Sequence, residues 1–147
     1  MDDQTNRRNW MGLLAKSAPQ AVKELCQTLS ETHRFTVLRQ PETGGVMVRG
    51  RTGGTGSAFN VGEVTVTRCS LRLDEGTVGH SYVQGRDKAH ATQAALVDAL
   101  MQTPAADRIE TEILHPLRET RARQQAAIQL RANATKVDFF TMVRGDD

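Results

Sequence analysis

The sequence predicts an α+β fold, in which an antiparallel sheet of about four strands, arranged as a meander, packs against an N-terminal helical hairpin and C-terminal helices. Three observations support this fold class. Apolar residues alternate with a period of two in the middle of the chain, they recur at helical spacing on either side, and turns containing Gly or Pro separate the strand patterns. The 147 residues suit a single domain, 1–147, and with only 4% aromatic residues its core must be mainly aliphatic.

The N-terminal hairpin is predicted between about residues 7 and 32. The helical spacing is interrupted after Ser17, and Pro19 is suited to the first turn of a second helix, where its missing N–H is not needed. The apolar positions are Trp10, Leu13 and Leu14 in the first helix and Val22, Leu25, Cys26 and Leu29 in the second.

The sheet is predicted between about residues 34 and 84. Its first two strand patterns are "RFTVLRQ" and "VMVRGRT", and the intervening "PETGG" suits a reversal of the chain. The patterns "EVTVTRCSLRL" and "TVGHSYVQ" follow, joined by a "DEG" turn. In the third pattern the apolar residues move from even to odd positions near Arg68. This change predicts a bulge or bend there, because strand side chains alternate with a period of two.

The C-terminal helices are predicted between about residues 87 and 134. In the first of them the apolar stripe is regular, Asp87 is a suitable N-cap, and Pro104 follows the end. A second helical tract begins near Asp107 and is interrupted at Pro116. This proline either begins a new helix or kinks the old one.

The composition excludes several classes of protein. A formal charge of +2 is too near balance to indicate nucleic-acid binding by bulk electrostatics. No apolar stretch approaches the roughly 20 residues of a membrane helix, and the acidic start lacks the regions of a signal peptide, so we expect a cytoplasmic protein. Cys26, Cys69 and the 4 histidines lack ligand spacing. We therefore predict no metal site and two structural thiols.

A glycine-rich stretch, "RTGGTGSAFNVGE", contains Gly53, Gly54 and Gly56. It lacks the Lys and the following helix of a P-loop, and it lacks the third glycine of a dinucleotide-binding fingerprint. The residues favour a connection between strands. Anion binding by backbone N–H groups is the alternative, and both interpretations stay open at this point.

The stretch "QGRDKAH", with Arg86, Asp87, Lys88 and His90, is the second candidate, beside the three glycines, for contact with an anion or a partner. A strand ends at Gly85 and a helix begins, so that free N–H groups would lie beside Arg86, Lys88 and His90, an arrangement that favours phosphate. In the alternative interpretation Asp87 caps the helix and occupies those donors itself. No catalytic set can be assigned from spacing, because catalytic partners usually meet in space rather than in sequence.

The second helical tract is locally basic. Its cations are Arg118, Arg121, Arg123, Arg131 and Lys136. Such a run is typical of a solvated helix face. A nucleic-acid-binding surface is the alternative, but the run lacks interleaved aromatic residues for stacking and matches no reader motif.

The C-terminal residues 137–147, "VDFFTMVRGDD", are unusually apolar for a terminus. Two of the chain's 4 phenylalanines lie here, whereas most termini are polar and frayed. We predict a docking tail whose interface residues are Phe139, Phe140, Met142 and Arg144.

The ordered stretches "GGTG", "VQGRDK" and "VDFFTMVRG" resemble the PhnG family, the G subunits of the bacterial carbon–phosphorus lyase core complex. The resemblance extends from Trp10 and Met11 through "PETGG" to the end of the chain. It implies a part in phosphonate catabolism, in an assembly with subunits H, I and J, with I the closest partner. A further subunit, L, of the ATP-binding-cassette type, assists the reaction.

The resemblance also implies the reaction. The complex exchanges the adenine of MgATP for methylphosphonate, giving α-D-ribose 1-methylphosphonate 5-triphosphate and adenine. The iron–sulfur cluster and S-adenosylmethionine belong to subunit J, so no cofactor is expected on this chain. The resemblance carries no catalytic residue over. The alternative function is a self-sufficient phosphate- or nucleotide-binding protein that uses the helix N-terminus from Gly85 to His90.

Overall fold

The computed structural model describes residues 3–51, 56 and 58–145, of which residues 51, 58, 60, 61 and 137–145 are described by their backbone alone. The helices are α1 (Asp3–Lys16), α2 (Pro19–Leu25), α3 (Leu29–Thr32), α4 (Lys88–Leu100), α5 (Ala106–Ile109) and α6 (His115–Gly145), with a π-helical turn at Glu110–Leu114. The strands are β1 (Phe35–Arg51), β2 (Ala58–Leu73) and β3 (Val78–Gln84). The N-terminal helices and the start of α2 at Pro19 were predicted, but the single second helix of the predicted hairpin is divided into α2 and α3.

The strands form one antiparallel sheet in the order β1-β2-β3, which confirms the predicted fold class with three strands instead of about four. The difference lies in "PETGG", which continues β1 instead of reversing the chain: Glu42 lies opposite Arg68 and Gly45 opposite Thr65. β1 is an edge strand, and its register shifts between Arg39 and Glu42. Pro41, which cannot donate a hydrogen bond, is tolerated at such a position.

A bulge or bend was predicted in β2 near Arg68, and the sheet is irregular there, but the irregularity lies on the neighbouring strand. β2 pairs with β3 in regular register from Val66 to Arg72, whereas the register of β1 shifts between Val37 and Arg39 and again between Arg39 and Glu42, opposite Arg68–Leu71. The apolar pattern changes phase because successive parts of β2 bury opposite faces. Val66 is buried on the outer face of the sheet, whereas Cys69 and Leu71 are buried on the inner face.

Helix α4 lies at the centre of the core. Nine of its 13 residues are buried, and it packs against β2 and β3 on one side and against α1 and α2 on the other. The contact with β3 requires a glycine, because a Cβ at Gly79 would collide with the carbonyl oxygen of Ala95 and lie 2.8 Å from the Cβ of Ala99. The sheet and the helix layer therefore approach closely at this point.

The helical tract near Pro116 passes through the π-helical turn before α6 begins at His115. Pro116 thus follows the π-helical turn within a continuous helical tract, where its missing N–H removes one intrahelical hydrogen bond. Helix α6 has 31 residues, which correspond to about 46 Å, and it includes the predicted tail as far as Gly145.

Two parts of the structure extend away from this core. Beyond Leu117 every described side chain of α6 is partly or fully exposed, including Ile128 and Leu130. The second part is the projecting ribbon, which consists of residues 46–51 of β1 and 58–64 of β2. Its two strands pair with each other, and this part of β2 does not pair with β3. Its Met47, Val48 and Phe59 are exposed.

Candidate functional site

The glycine-rich stretch connects the two strands of the projecting ribbon. Arg51 at the end of β1 pairs with Ala58 at the start of β2, so residues 52–57 join two paired strand ends. This agrees with the interpretation of a strand connection. Gly53 and Gly54 lie outside the described residues, and Gly56 is half-buried. Anion contact by these glycines stays a prediction.

The corner between β3 and α4 is a capped helix N-terminus. Gly85 has a φ of 98°, a backbone conformation that favours glycine. Asp87 is the N-cap, and its Oδ1 accepts a hydrogen bond from the His90 N–H at 2.9 Å. Arg86 and Lys88 are exposed, and neither has an ion pair among the described residues.

His90 points into the protein rather than toward this corner. Its side chain is buried, and Nε2 lies 2.8 Å from the carbonyl oxygen of Leu14 at the end of α1. Because a carbonyl can only accept, Nε2 carries the proton. Nδ1 is buried and has no hydrogen-bond partner among the described residues. Of the predicted contact residues at this corner, Arg86 and Lys88 present cationic side chains to solvent, Asp87 caps the helix, and His90 faces the core.

A buried carboxylate, Asp98, holds α1 against the core. Its Oδ1 accepts from Arg7 Nε at 3.1 Å and Trp10 Nε1 at 2.8 Å, and its Oδ2 accepts from Arg7 Nη2 and the His80 N–H, both at 2.8 Å. The hydrogen bonds to Asp98 raise the pKa of the Arg7 guanidinium, although its burial opposes this. Four donors thus satisfy a charge that would otherwise be costly to bury.

Asp98 was not among the functional residues predicted from the sequence. The signal was a single acidic residue within the apolar run "ALVDAL" of α4. A charge on a buried stripe requires partners, but its partners lie in α1 and β3 and cannot be identified from spacing along the chain.

A groove of about 860 Å³ lies between α1 and the outer face of the sheet. Its floor is apolar and comprises Val46, Val48, Val64 and Val66. The far side carries Tyr82, whose ring lies 5.2 Å from the Arg68 guanidinium carbon, and His80, whose Nδ1 lies 2.9 Å from Ser70 Oγ. We call this depression the outer groove.

A second depression of about 450 Å³ lies between α1 and the beginning of α6, and we call it the basic cleft. Its cations are Arg8, Lys16, Arg118 and Arg121. Arg118 forms an ion pair with Glu110, whereas the other three have none among the described residues. Arg8, Gly12 and Lys16 line both depressions, so this face of α1 forms the ridge between them.

The cysteines have the structural role that was predicted. Both are buried and unpaired. Burial raises the pKa of the Cys26 thiol to about 12 and also raises that of Cys69, where a contact with Thr92 opposes the effect. Neither thiol is activated as a nucleophile, since the thiolate is the reactive form. Within the described residues no group of three His, Cys, Asp or Glu side chains could hold a metal ion.

The predicted interface residues Phe139, Phe140, Met142 and Arg144 all lie on the last turns of α6. Only their backbone is described, so their role in an interface stays a prediction. No described helix is long and apolar enough to cross a membrane.

Comparison with known proteins identifies the family. A model of the family described as "Phosphonate metabolism protein PhnG" matches residues 5–145. The chain belongs to the PhnG family. Its relatives include a protein of Rhizobium meliloti (strain 1021), named alpha-D-ribose 1-methylphosphonate 5-triphosphate synthase subunit PhnG. That PhnG relative is 45% identical over 144 residues, which cover 96% of this chain and 90% of the relative.

Proposed function

We propose that this chain is a non-catalytic subunit of an α-D-ribose 1-methylphosphonate 5-triphosphate synthase in phosphonate catabolism. The observation that carries the proposal is the 45% identity to a subunit with that name, over 96% of the present chain. Near-complete coverage of both proteins means that the two share one architecture and not merely one motif.

The reaction transfers the ribose 5-triphosphate of MgATP to methylphosphonate. The bond between ribose C1′ and adenine N9 breaks, a bond between C1′ and a phosphonate oxygen forms, and adenine leaves after gaining a proton at its ring. We propose that other subunits perform these steps. In support, the relative is named as one subunit of the synthase, which assigns the activity to a complex of several chains.

We propose partners H, I and J of a carbon–phosphorus lyase core complex, with I the closest, and functional cooperation with subunit L. We assign the iron–sulfur cluster and S-adenosylmethionine to a partner, and we expect a cytoplasmic assembly. The exposed outer part of α6 and the projecting ribbon support the proposal that the chain functions within a complex. Permanent interfaces are large and apolar, and these two elements present Met47, Phe59, Ile128 and Leu130 to solvent.

The alternative, a self-sufficient phosphate- or nucleotide-binding protein, has less support. At the corner from Gly85 to His90, Asp87 already accepts a backbone N–H, and its negative charge lies where a phosphate would bind. Loss of ATP binding by the isolated chain on Arg86→Ala substitution, with folding intact, would favour this alternative.

The test is an affinity pull-down of the chain, tagged at its N-terminus, from its native cells growing on methylphosphonate as sole phosphorus source. We expect mass spectrometry to recover subunits H, I and J in near-equal amounts, and the isolated chain to release no adenine from MgATP. Recovery of the chain alone, or adenine release by the pure chain, would contradict the proposal.

A further inference from the structure

Packing within the described chain does not explain Gly12. It lies in the interior of α1, where glycine destabilises a helix relative to alanine. Apart from its chain neighbours and its own helical turns, a Cβ at this position would meet no atom of the described residues within 4 Å. Gly79 differs, because there a Cβ would collide with α4. Packing within the described chain thus requires the glycine at 79 but not the one at 12.

Gly12 lies at the middle of a charged ridge. Arg8, Gly12 and Lys16 follow one another at intervals of four residues, so they share one face of α1. Both cations are exposed and have no ion pair among the described residues. Arg7, on the adjacent face, is instead bound to Asp98. Helix α1 is thus held to the core through the face that carries Arg7. The face that carries Arg8 and Lys16 presents positive charges without an ion pair among the described residues.

The surface beside this ridge is apolar. The outer groove has a floor of four valines, and Val48 is 39% exposed while Tyr82 is 41% exposed. On the other side of the ridge, the basic cleft adds Arg121. An apolar floor flanked by unpaired cations is complementary to a surface with apolar side chains and neighbouring carboxylates.

We propose that a helix of a partner subunit crosses α1 at Gly12. The proposal rests on the function proposed above. Apolar side chains of that helix occupy the outer groove, and its carboxylates pair with Arg8 and Lys16. The absence of a side chain at residue 12 lets the two helix axes approach closely, since the distance between packed helices is set by the side chains at the contact.

A small polyanion explains this surface less well. A specific phosphate site generally combines cations with oriented backbone or side-chain donors in a sheltered position. Here the cations of the ridge are exposed, and the adjoining floor is apolar. Neither feature would favour a phosphate over water, whereas both suit the centre and rim of a protein interface.

The test is coexpression of the chain with the partner subunits H, I and J, with assembly measured by native mass spectrometry and by titration of the purified partners. The variants are Gly12→Leu and the double reversal Arg8→Glu with Lys16→Glu. Matched controls on the exposed face of α2 are Gln20→Leu, which adds an exposed leucine, and Lys23→Glu, which reverses a charge.

We expect Gly12→Leu to raise the Tm of the isolated chain by about 2–4 °C, because a helix former replaces glycine in open space. The same variant should weaken assembly by about tenfold or more, and so should the double reversal, whereas the controls should remain within about twofold. A gain in stability together with a loss of assembly excludes misfolding as the cause.

Assembly of Gly12→Leu within about twofold of the unmodified chain would overturn the helix crossing, whatever the charge reversal does. Failure of the unmodified chain to assemble would overturn the proposed function and this inference together. The two results are distinguishable because the first leaves the complex intact.

Discussion

Helices α4 and α6 show how differently one chain can use the same secondary structure. In α4, nine of 13 residues are buried, and tertiary contacts hold the helix on both sides. Helix α6 has 31 residues and continues past the core, and its described side chains beyond residue 121 are exposed. Helical stability in proteins comes mostly from packing of an apolar face. The contrast therefore indicates that α4 serves the fold, whereas the outer part of α6 lacks a packing partner in the described chain.

The largest difference in the cost to stability is expected between substitutions of two acidic residues, one buried and one exposed. Asp98→Ala should lower the free energy of unfolding by about 3–4 kcal/mol, because it leaves Arg7, Trp10 and the His80 N–H without their shared acceptor. Glu119→Ala removes only the exposed pair with His115 and should cost less than about 0.5 kcal/mol. Urea denaturation of both variants measures the difference. Similar costs would show that Asp98 does not anchor α1.

A pair of leucines gives the next largest contrast. Leu100 in α4 is 2% exposed and Leu130 in α6 is 69% exposed. Leu100→Ala should cost about 3 kcal/mol through lost burial and a cavity, whereas Leu130→Ala should cost less than about 0.5 kcal/mol. Thermal and urea unfolding check this. A cost above about 1 kcal/mol at Leu130 would mean that α6 packs against the core in solution.

A smaller effect is expected at the contact between β3 and α4. Gly79→Ala should cost about 2 kcal/mol, because the added methyl collides with the Ala95 carbonyl and forces the sheet and helix apart. Gly44→Ala is the matched control in a strand, since a Cβ there meets nothing within 4 Å. Equal stabilities of the two variants in chemical denaturation would contradict the close approach.

The sequence predicted those elements whose signals are local. The core helix α4 was predicted because its apolar stripe, its Asp87 cap and the following Pro104 agree with one another. The reversal at "PETGG" was predicted wrongly because Pro and Gly are strong local turn signals. Here long-range pairing with β2 overrode them, as the partners Glu42 and Arg68 illustrate.

The candidate sites were predicted less well because they depend on residues distant in sequence. The partners of Asp98 include Arg7, which lies 91 residues earlier in the chain, on helix α1. The ridge at Gly12 cannot be recognised from the sequence, because the outer groove beside it forms only where α1 lies next to the sheet. At the corner after β3, by contrast, sequence analysis identified Asp87 as the cap, because capping is a local interaction.

The most direct test of the account compares the full chain with a chain ending at residue 131, both isolated and coexpressed with subunits H, I and J. The shortened chain retains the whole described core and loses Phe139, Phe140, Met142 and Arg144 with the end of α6. We predict that its Tm stays within about 2 °C of the full chain while it no longer assembles. Unfolding of the shortened chain, or its normal assembly, would contradict the division between a self-sufficient core and an interacting α6.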